Sequence, residues 1–349
     1  MKKQGPGAGG QGPGPKGDLH GTRLIAWYRH GHRDLPWRRT SDPYSIWVSE
    51  IMLQQTRAQA VIPYYQRFLE RFPTVESLAA AAEDDVLALW SGLGYYSRAR
   101  NLLRAARQIA ASGSFPRDYD AILALPGIGD YTAAAVASIA FGLPHAVLDG
   151  NVLRVVSRVE NDPADIASPR TRARFLAVVQ AWLDPRHPGL FNQALMELGA
   201  TVCLPRAPLC LVCPLSGDCR AREAGTAAQL PVKLRKTTPV RLEGTLLIVR
   251  HSGRILLRQR KSDARRMAGF WDLPTPDDLP EARIGRHFGE IRHTITHHHY
   301  TLAVNSATAR TPEGARFGWF DPARLDQLPL STTARKALKL AGMLPDSSR

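Results

Sequence analysis

The chain has 349 residues, 22% charged and 44% hydrophobic, and a formal net charge of +15. That length buries a sizeable core and has room for two domains, and the composition is that of a soluble globular protein. So positive a balance draws polyanions, nucleic acid before an anionic membrane surface. No apolar run approaches the ~18–20 residues needed to cross a bilayer. Met1-Lys2-Lys3 leads into Gly, Pro and Gln without the apolar core of a signal peptide. A cytoplasmic protein is expected, nucleoid-associated if bacterial, monomeric and with no membrane partner.

In chain order, residues 1–19 are Gly/Pro-rich and predict a disordered tail. Residues 20–225 carry a helical pattern. Stretches such as Ala80 to Trp90 and Arg98 to Ala111 space apolar residues by three and four, and Pro73, Gly92, Gly94, Gly113 and Pro116 punctuate them. Glu50 is the single acid in the apolar helical run from Trp47 to Thr56. Burial there would raise its pKa and let it carry a proton, although a lone helical Glu also serves as an ordinary structural group.

Leu125-Pro126-Gly127-Ile128-Gly129-Asp130 sits between the helical stretches Asp118 to Ala124 and Tyr131 to Phe141. Gly127 and Gly129 permit positive φ and close backbone approach, and the helix that follows offers unpaired N–H groups to an anion. This is a helix-hairpin-helix pattern that grips a DNA phosphate without reading sequence; a plain helix-helix turn is the alternative. Asp149 precedes a helix with Val152, Val155, Val156 and Val159 on one face, where it caps. Capping is expected to lower its pKa and keep it ionised, ready to stabilise positive charge developing on a sugar. A raised acid paired with an ionised one is the pattern that cleaves glycosidic bonds.

All four cysteines lie in one loop, residues 203–219, as Cys203-x6-Cys210-x2-Cys213-x5-Cys219. This predicts one metal site. One close pair and two single cysteines suit an iron–sulfur cubane, and a structural zinc stays open. Residues 226–240 form a basic linker, and 241–349 change texture. Leu242–Val249 and Gly253–Arg260 predict a hairpin, Thr294–Val304 and Ala315–Phe320 further strands, and Thr332–Ala341 a terminal helix. The architecture expected is multidomain, an all-α unit followed by a smaller α+β one.

The chain resembles the MutY-type adenine DNA glycosylases of the helix-hairpin-helix superfamily. The resemblance rests on Val48 to Thr56, Gly92 to Arg98, Leu125 to Thr132, Leu148 to Val152, Phe191 to Gly199 and the cysteine loop, in the family's order. It implies a monofunctional enzyme that hydrolyses the N-glycosidic bond of adenine opposite 8-oxoguanine or guanine in double-stranded DNA and leaves an abasic site. Glu50 would protonate N7 of the extruded adenine, and Asp149 would stabilise the oxocarbenium-like sugar. Tyr131 and Asn151 would position these groups and the water. Gln193 would read the adenine edge, and Trp37 would wall the pocket. Gln55 and Tyr95 would wedge into the duplex with Leu93 close by, while Gly127 and Gly129 hold phosphate. The cysteine spacing matches the iron–sulfur members and implies a [4Fe-4S] cluster on Cys203, Cys210, Cys213 and Cys219. The related endonuclease III lyases carry a Lys, for Schiff-base chemistry, where this chain has Tyr131. A non-catalytic DNA-binding module is the remaining alternative.

Residues 241–349 are similar to a Nudix fold. No Glu-x-x-Glu-Glu helix follows Gly269-Phe270-Trp271-Asp272-Leu273-Pro274, so nucleotide hydrolysis is not expected. In the family this domain reads 8-oxoguanine with a Phe-Ser-His turn. Here Ile295-Thr296-His297 stands in its place, keeping the hydroxyl of Thr296 but losing the aromatic ring. His298 and His299 follow, and strand alternation is expected to send adjacent His side chains to opposite faces.

Overall fold

The computed structural model describes residues 15–234, 238–261, 269–295, 297–310 and 316–344. The helices are α1 (Pro15–His30), α2 (Pro43–Leu53), α3 (Ala58–Arg71), α4 (Val75–Ala79), α5 (Glu83–Leu89), α6 (Ser97–Ser112), α7 (Tyr119–Leu123), α8 (Asp130–Phe141), α9 (Gly150–Val159), α10 (Pro169–Trp182), α11 (Pro188–Thr201), α12 (Arg220–Glu223) and α13 (Thr332–Leu340). The strands are β1 (Val240–His251), β2 (Arg254–Gln259), β3 (Trp271–Asp272), β4 (Arg283–Ile295), β5 (His298–Thr308) and β6 (Phe317–Phe320). Among the described residues an all-α region is thus followed by one mixed sheet and a terminal helix.

α1 begins at Pro15, so residues 15–19, which the composition assigned to a tail, are helical. Proline is tolerated in a first helical turn, where its missing N–H has no partner to lose. Residues 1–14 lie outside the described residues. The first half of the linker is pinned: Ile166 N donates to the Val232 carbonyl at 3.0 Å and Leu234 N to Asp165 Oδ1 at 3.3 Å.

The chain divides into two compact units, Met1–Glu76 with Ala105–Lys236 and Ser77–Arg104 with Thr237–Arg349. Part of the helical stretch therefore groups with the C-terminal sheet, which a reading in chain order does not anticipate. In the first unit a core of Leu24, Phe175, Phe191, Leu195 and Leu198 packs against the valine face of α9, Val152, Val155, Val156 and Val159. The spacing of those valines buries one stripe of the helix.

In the second unit the sheet runs β3-β2-β1-β5-β4, with β6 on β2. β1 pairs with β5 in parallel from Val240↔His298 to Val249↔Ala307. The expected hairpin with β2 is present, with Arg250↔Ile255 and His251↔Arg254 in register. Strand alternation buries both faces: Leu246 and Ile248 point into a core closed by Leu325, Ala334 and Leu338, while Leu247 and Val249 meet Leu256 and Leu279. Thr294 to Val304 is not one strand but the end of β4 and the start of β5. Residues 273–282 contain turns and no helix, in keeping with the missing Glu-rich segment. Asp278 there pairs with Arg258 at 2.6 Å. Tyr96 and Phe270, both in this unit, pack with ring centres 4.1 Å apart and planes tilted by 50°.

Candidate active site

The first unit contains a cavity of about 900 Å³ lined by Glu50, Tyr131, Asp149, Asn151, Trp37, Gln193 and Gln55, among others. Seven side chains singled out from separate stretches of sequence thus meet at one place. Asp42 caps α2, its carboxylate accepting from Tyr44 N and Ser45 N. On the same helix Glu50 is buried, and no partner is found for its Oε2. Burial pushes its carboxyl up to about 7, and the Asp149 charge adds to the rise. The Tyr131 hydroxyl and the Arg38 guanidinium work against that rise. The same hydroxyl donates to Met196 Sδ at 3.2 Å, so it stands between a weak thioether acceptor and the acid.

Asp149 is the N-cap of α9, accepting from Val152 N at 2.7 Å and from Asn151 Nδ2 at 2.9 Å. Its pKa is nonetheless raised, not lowered as capping alone predicts. Burial is the largest cause and outweighs the donors. Asn151 is held in turn by Arg154, which donates to Asn151 Oδ1 at 2.9 Å, to the Gly199 carbonyl at 2.6 Å and to the Cys203 carbonyl at 2.7 Å. One turn further, Arg158 is fully buried and gives its donors to the carbonyls of Leu230, Leu204 and Pro205 and to Cys203 Sγ at 3.2 Å. Their i, i+4 spacing on α9 was the available sequence signal, and it was missed.

Arg33 and Arg38 line the cavity wall and both pair with Glu197, at 2.7 Å each. Burial works against the Glu197 charge, but its arginine hydrogen bonds prevail and hold the carboxyl down at about 2. Arg33, Arg38, Glu197 and Tyr28 were not anticipated; the basic residues flanking Trp37 were the only local hint.

Gly127 has φ +79°, as expected, whereas Gly129 is extended at φ −114° as the N-cap of α8. What Gly129 offers is room: a Cβ there would meet nothing within 4 Å. Gln55 and Tyr95 are both exposed and both hold left-handed backbone, at φ 57° and 49°, a costly conformation for a side-chain-bearing residue. Leu93 is buried. The loop carrying it and Tyr95 is fastened by Arg98, which donates to the Leu93 and Gly94 carbonyls at 3.3 and 3.1 Å. In the second unit Thr296 lies outside the described residues. His297 precedes β5, and its ring lies 4.1 Å from that of His298. The expected splitting onto opposite faces fails for His297 and His298, because strand alternation does not extend into the turn, while within β5 His298 shares its face with Tyr300.

Cys203, Cys210, Cys213 and Cys219 are free thiols lining one small pocket with Val155, Arg158 and Leu209. Burial pushes the Cys213 thiol up to about 11, and the three neighbouring sulfurs raise it further. Among the described residues no three His, Cys, Asp or Glu side chains form a group that could hold a metal ion. Four undisulfided sulfurs around one pocket nonetheless supply the donor set of a thiolate-bound cluster.

A helical unit whose cavity gathers a buried acid and a capped carboxyl is suited to glycosidic-bond chemistry, and the comparisons give the class. Residues 48–180 match the HhH-GPD superfamily of base excision DNA repair proteins, and residues 244–340 a NUDIX domain. A human protein named adenine DNA glycosylase is 34% identical over 91% of this chain and 73% of its own length. A Mycolicibacterium smegmatis protein of the same name is 47% identical over 59% of this chain and 71% of its own. A solved thermostable thymine-DNA glycosylase superposes with a TM-score of 0.55 at 30% identity, covering 60% of this chain and 97% of that one. The chain belongs to the adenine DNA glycosylase family. It is a hydrolytic DNA N-glycosylase of base excision repair that acts on adenine. No helix among the described residues is long and apolar enough to cross a membrane.

Proposed function

We propose that the enzyme excises adenine paired with 8-oxoguanine or guanine in duplex DNA, without lyase action, and leaves an abasic site. The observation that carries this reading is the meeting of Glu50, Tyr131, Asp149 and Asn151 in one cavity with Gln193 and Trp37. Extruding a nucleotide costs a few kcal/mol, less at a mismatch. Gln55 and Tyr95 are the side chains that would enter the duplex, Leu93 lying on the Tyr95 loop, and the Gly127–Gly129 turn holds a backbone phosphate.

Glu50, protonated near neutrality, gives its proton to adenine N7. The C1′–N9 bond then breaks with its electron pair going to the base, and positive charge builds on the sugar. Asp149 faces that charge as an anion. Being buried, it gains more from a neighbouring cation than an exposed carboxylate would. Water, positioned by Tyr131 and Asn151, adds its oxygen to C1′ and passes its proton to the Glu50 carboxylate, which restores the acid. Schiff-base chemistry needs an amine, and the cations lining this cavity are the arginines 33, 38, 57 and 154. Trp37 walls the base and Gln193 reads its edge.

A [4Fe-4S] cluster on Cys203, Cys210, Cys213 and Cys219 would fix the shape of the loop beside Arg154 and Arg158. Thr296 and His297 read the 8-oxoguanine, by hydrogen bonds in place of an aromatic stack.

A single-turnover assay tests this reading on duplexes containing adenine opposite 8-oxoguanine, adenine opposite guanine, or thymine glycol opposite adenine. The expected result is strand breakage only at adenine and only after alkali. Breakage at thymine glycol without alkali would overturn it.

A further inference from the structure

Gln193 faces the cavity, but an amide has two ends, and which end meets the base decides what it reads. In this structure the Tyr28 hydroxyl donates to Gln193 Oε1 at 3.0 Å. Among the described residues no protein acceptor is found for Gln193 Nε2. Tyr28 is itself immobilised. It is buried in α1, with the Arg38 guanidinium 5.3 Å from its ring centre. The His32 ring also stacks on it at 4.1 Å and 12°. Arg38 in turn is held by Glu197 at 2.7 Å and by the Arg33 carbonyl at 3.0 Å. Glu197 lies one turn beyond Gln193 on α11, so the path Gln193, Tyr28, Arg38, Glu197 closes back onto the helix that carries Gln193.

We propose that Tyr28 is a positioning residue for base specificity, fixing the Gln193 amide so that Nε2 is presented as a donor and Oε1 keeps one lone pair for the base. This rests on the proposed function, in which Gln193 reads the extruded adenine. A side-chain amide in that setting matches adenine, whose edge pairs a ring-nitrogen acceptor with the exocyclic amine donor. A freely turning amide presents either end and loses part of the distinction. Burial keeps the Tyr28 hydroxyl protonated, its pKa pushed up to about 12, so the donation persists at any working pH. The ring stays sandwiched when only the hydroxyl is removed, which makes Tyr28→Phe a clean probe of the hydrogen bond.

The test compares single-turnover release of adenine with release of unsubstituted purine, which lacks the 6-amino group, opposite the same partner base. Tyr28→Phe is expected to slow adenine release about tenfold, to slow purine release less, and to leave duplex affinity unchanged. Gln193→Ala should narrow the adenine-over-purine preference as well, and adding Tyr28→Phe to it should narrow it no further. Equal slowing of both bases, or the same narrowing in the Gln193→Ala background, would overturn the inference. Wild-type release of adenine checks the pocket reading separately. A second readout needs no catalysis: the Gln193 side-chain amide resonance, assigned by its loss in Gln193→Ala, should shift in Tyr28→Phe. An unmoved resonance would also refute the proposal.

Discussion

Gly199 and Asn151 occupy adjoining space with none to spare: a Cβ on Gly199 would stand 2.6 Å from the Asn151 Cβ and 2.9 Å from its carbonyl oxygen. The first turn of α9, with Asp149 at its cap, is therefore set by the absence of a side chain on α11. Gly199→Ala must displace Asn151 and tilt that cap. Misplacements of about 1 Å cost up to ~100-fold in rate. The expected outcome is a single-turnover rate at least tenfold lower with helical circular dichroism intact.

Glu50 couples activity to pH with a definite sign. As the proton donor it works in its neutral form, so release should be fast below about pH 7 and fall as pH rises through that value. Stability follows the same direction. The folded-state pKa is raised from 4.5, so the neutral side chain's contribution is full below that value and is lost as pH rises to about 7. A shift of that size corresponds to on the order of 3 kcal/mol. Glu50→Gln should abolish release yet melt higher than the parent at pH 8, with the two enzymes converging at pH 4.

The Glu197 pairs give the opposite dependence. With a carboxyl lowered from 4.5 to about 2, their contribution is full above pH 4.5 and declines as pH falls toward 2. Removing the carboxylate leaves the half-buried Arg38 without its partner. Glu197→Ala is expected to cost about 3 kcal/mol, read as a lower urea midpoint at neutral pH and a smaller difference under acid.

Much of this site is legible locally, and the reasons are physical. Asp149 reads as a cap because capping needs only the next three residues, and the Pro126-Gly127 turn declares itself by its backbone. The direction of the Asp149 pKa does not, because burial is set by residues far along the chain. Tyr28 and Gln193 are 165 positions apart, and no spacing rule links them. Gly129 looked like a left-handed position but is extended, since glycine permits a conformation without requiring it. Likewise β1 reads as a strand, but its parallel pairing with β5 is not written in either segment.

Phe270 is fully buried with Tyr96 against it. Phe270→Ala should cost about 3–5 kcal/mol. Tyr96 directly follows Tyr95, so a looser packing should also slow adenine release. Tyr96→Phe, which keeps the ring, should do neither. Thermal melts and single-turnover rates on the same preparations decide it.

The four thiols lead to a chemical prediction. Protein purified without oxygen should contain about four irons and four inorganic sulfides per chain. Cys213→Ser should lower both, and removing iron with a chelator should loosen the 203–219 segment, seen as faster amide exchange there.

The grouping of Ser77–Arg104 with Thr237–Arg349 has a consequence for how the enzyme is made. Roughly 130 residues separate the two segments, on the order of ten seconds of synthesis on a ribosome. During that interval Tyr96 has been made while its packing partner Phe270 has not. A nascent chain carries the Tyr96 ring without its Phe270 cover for that time, an apolar side chain left open to a chaperone.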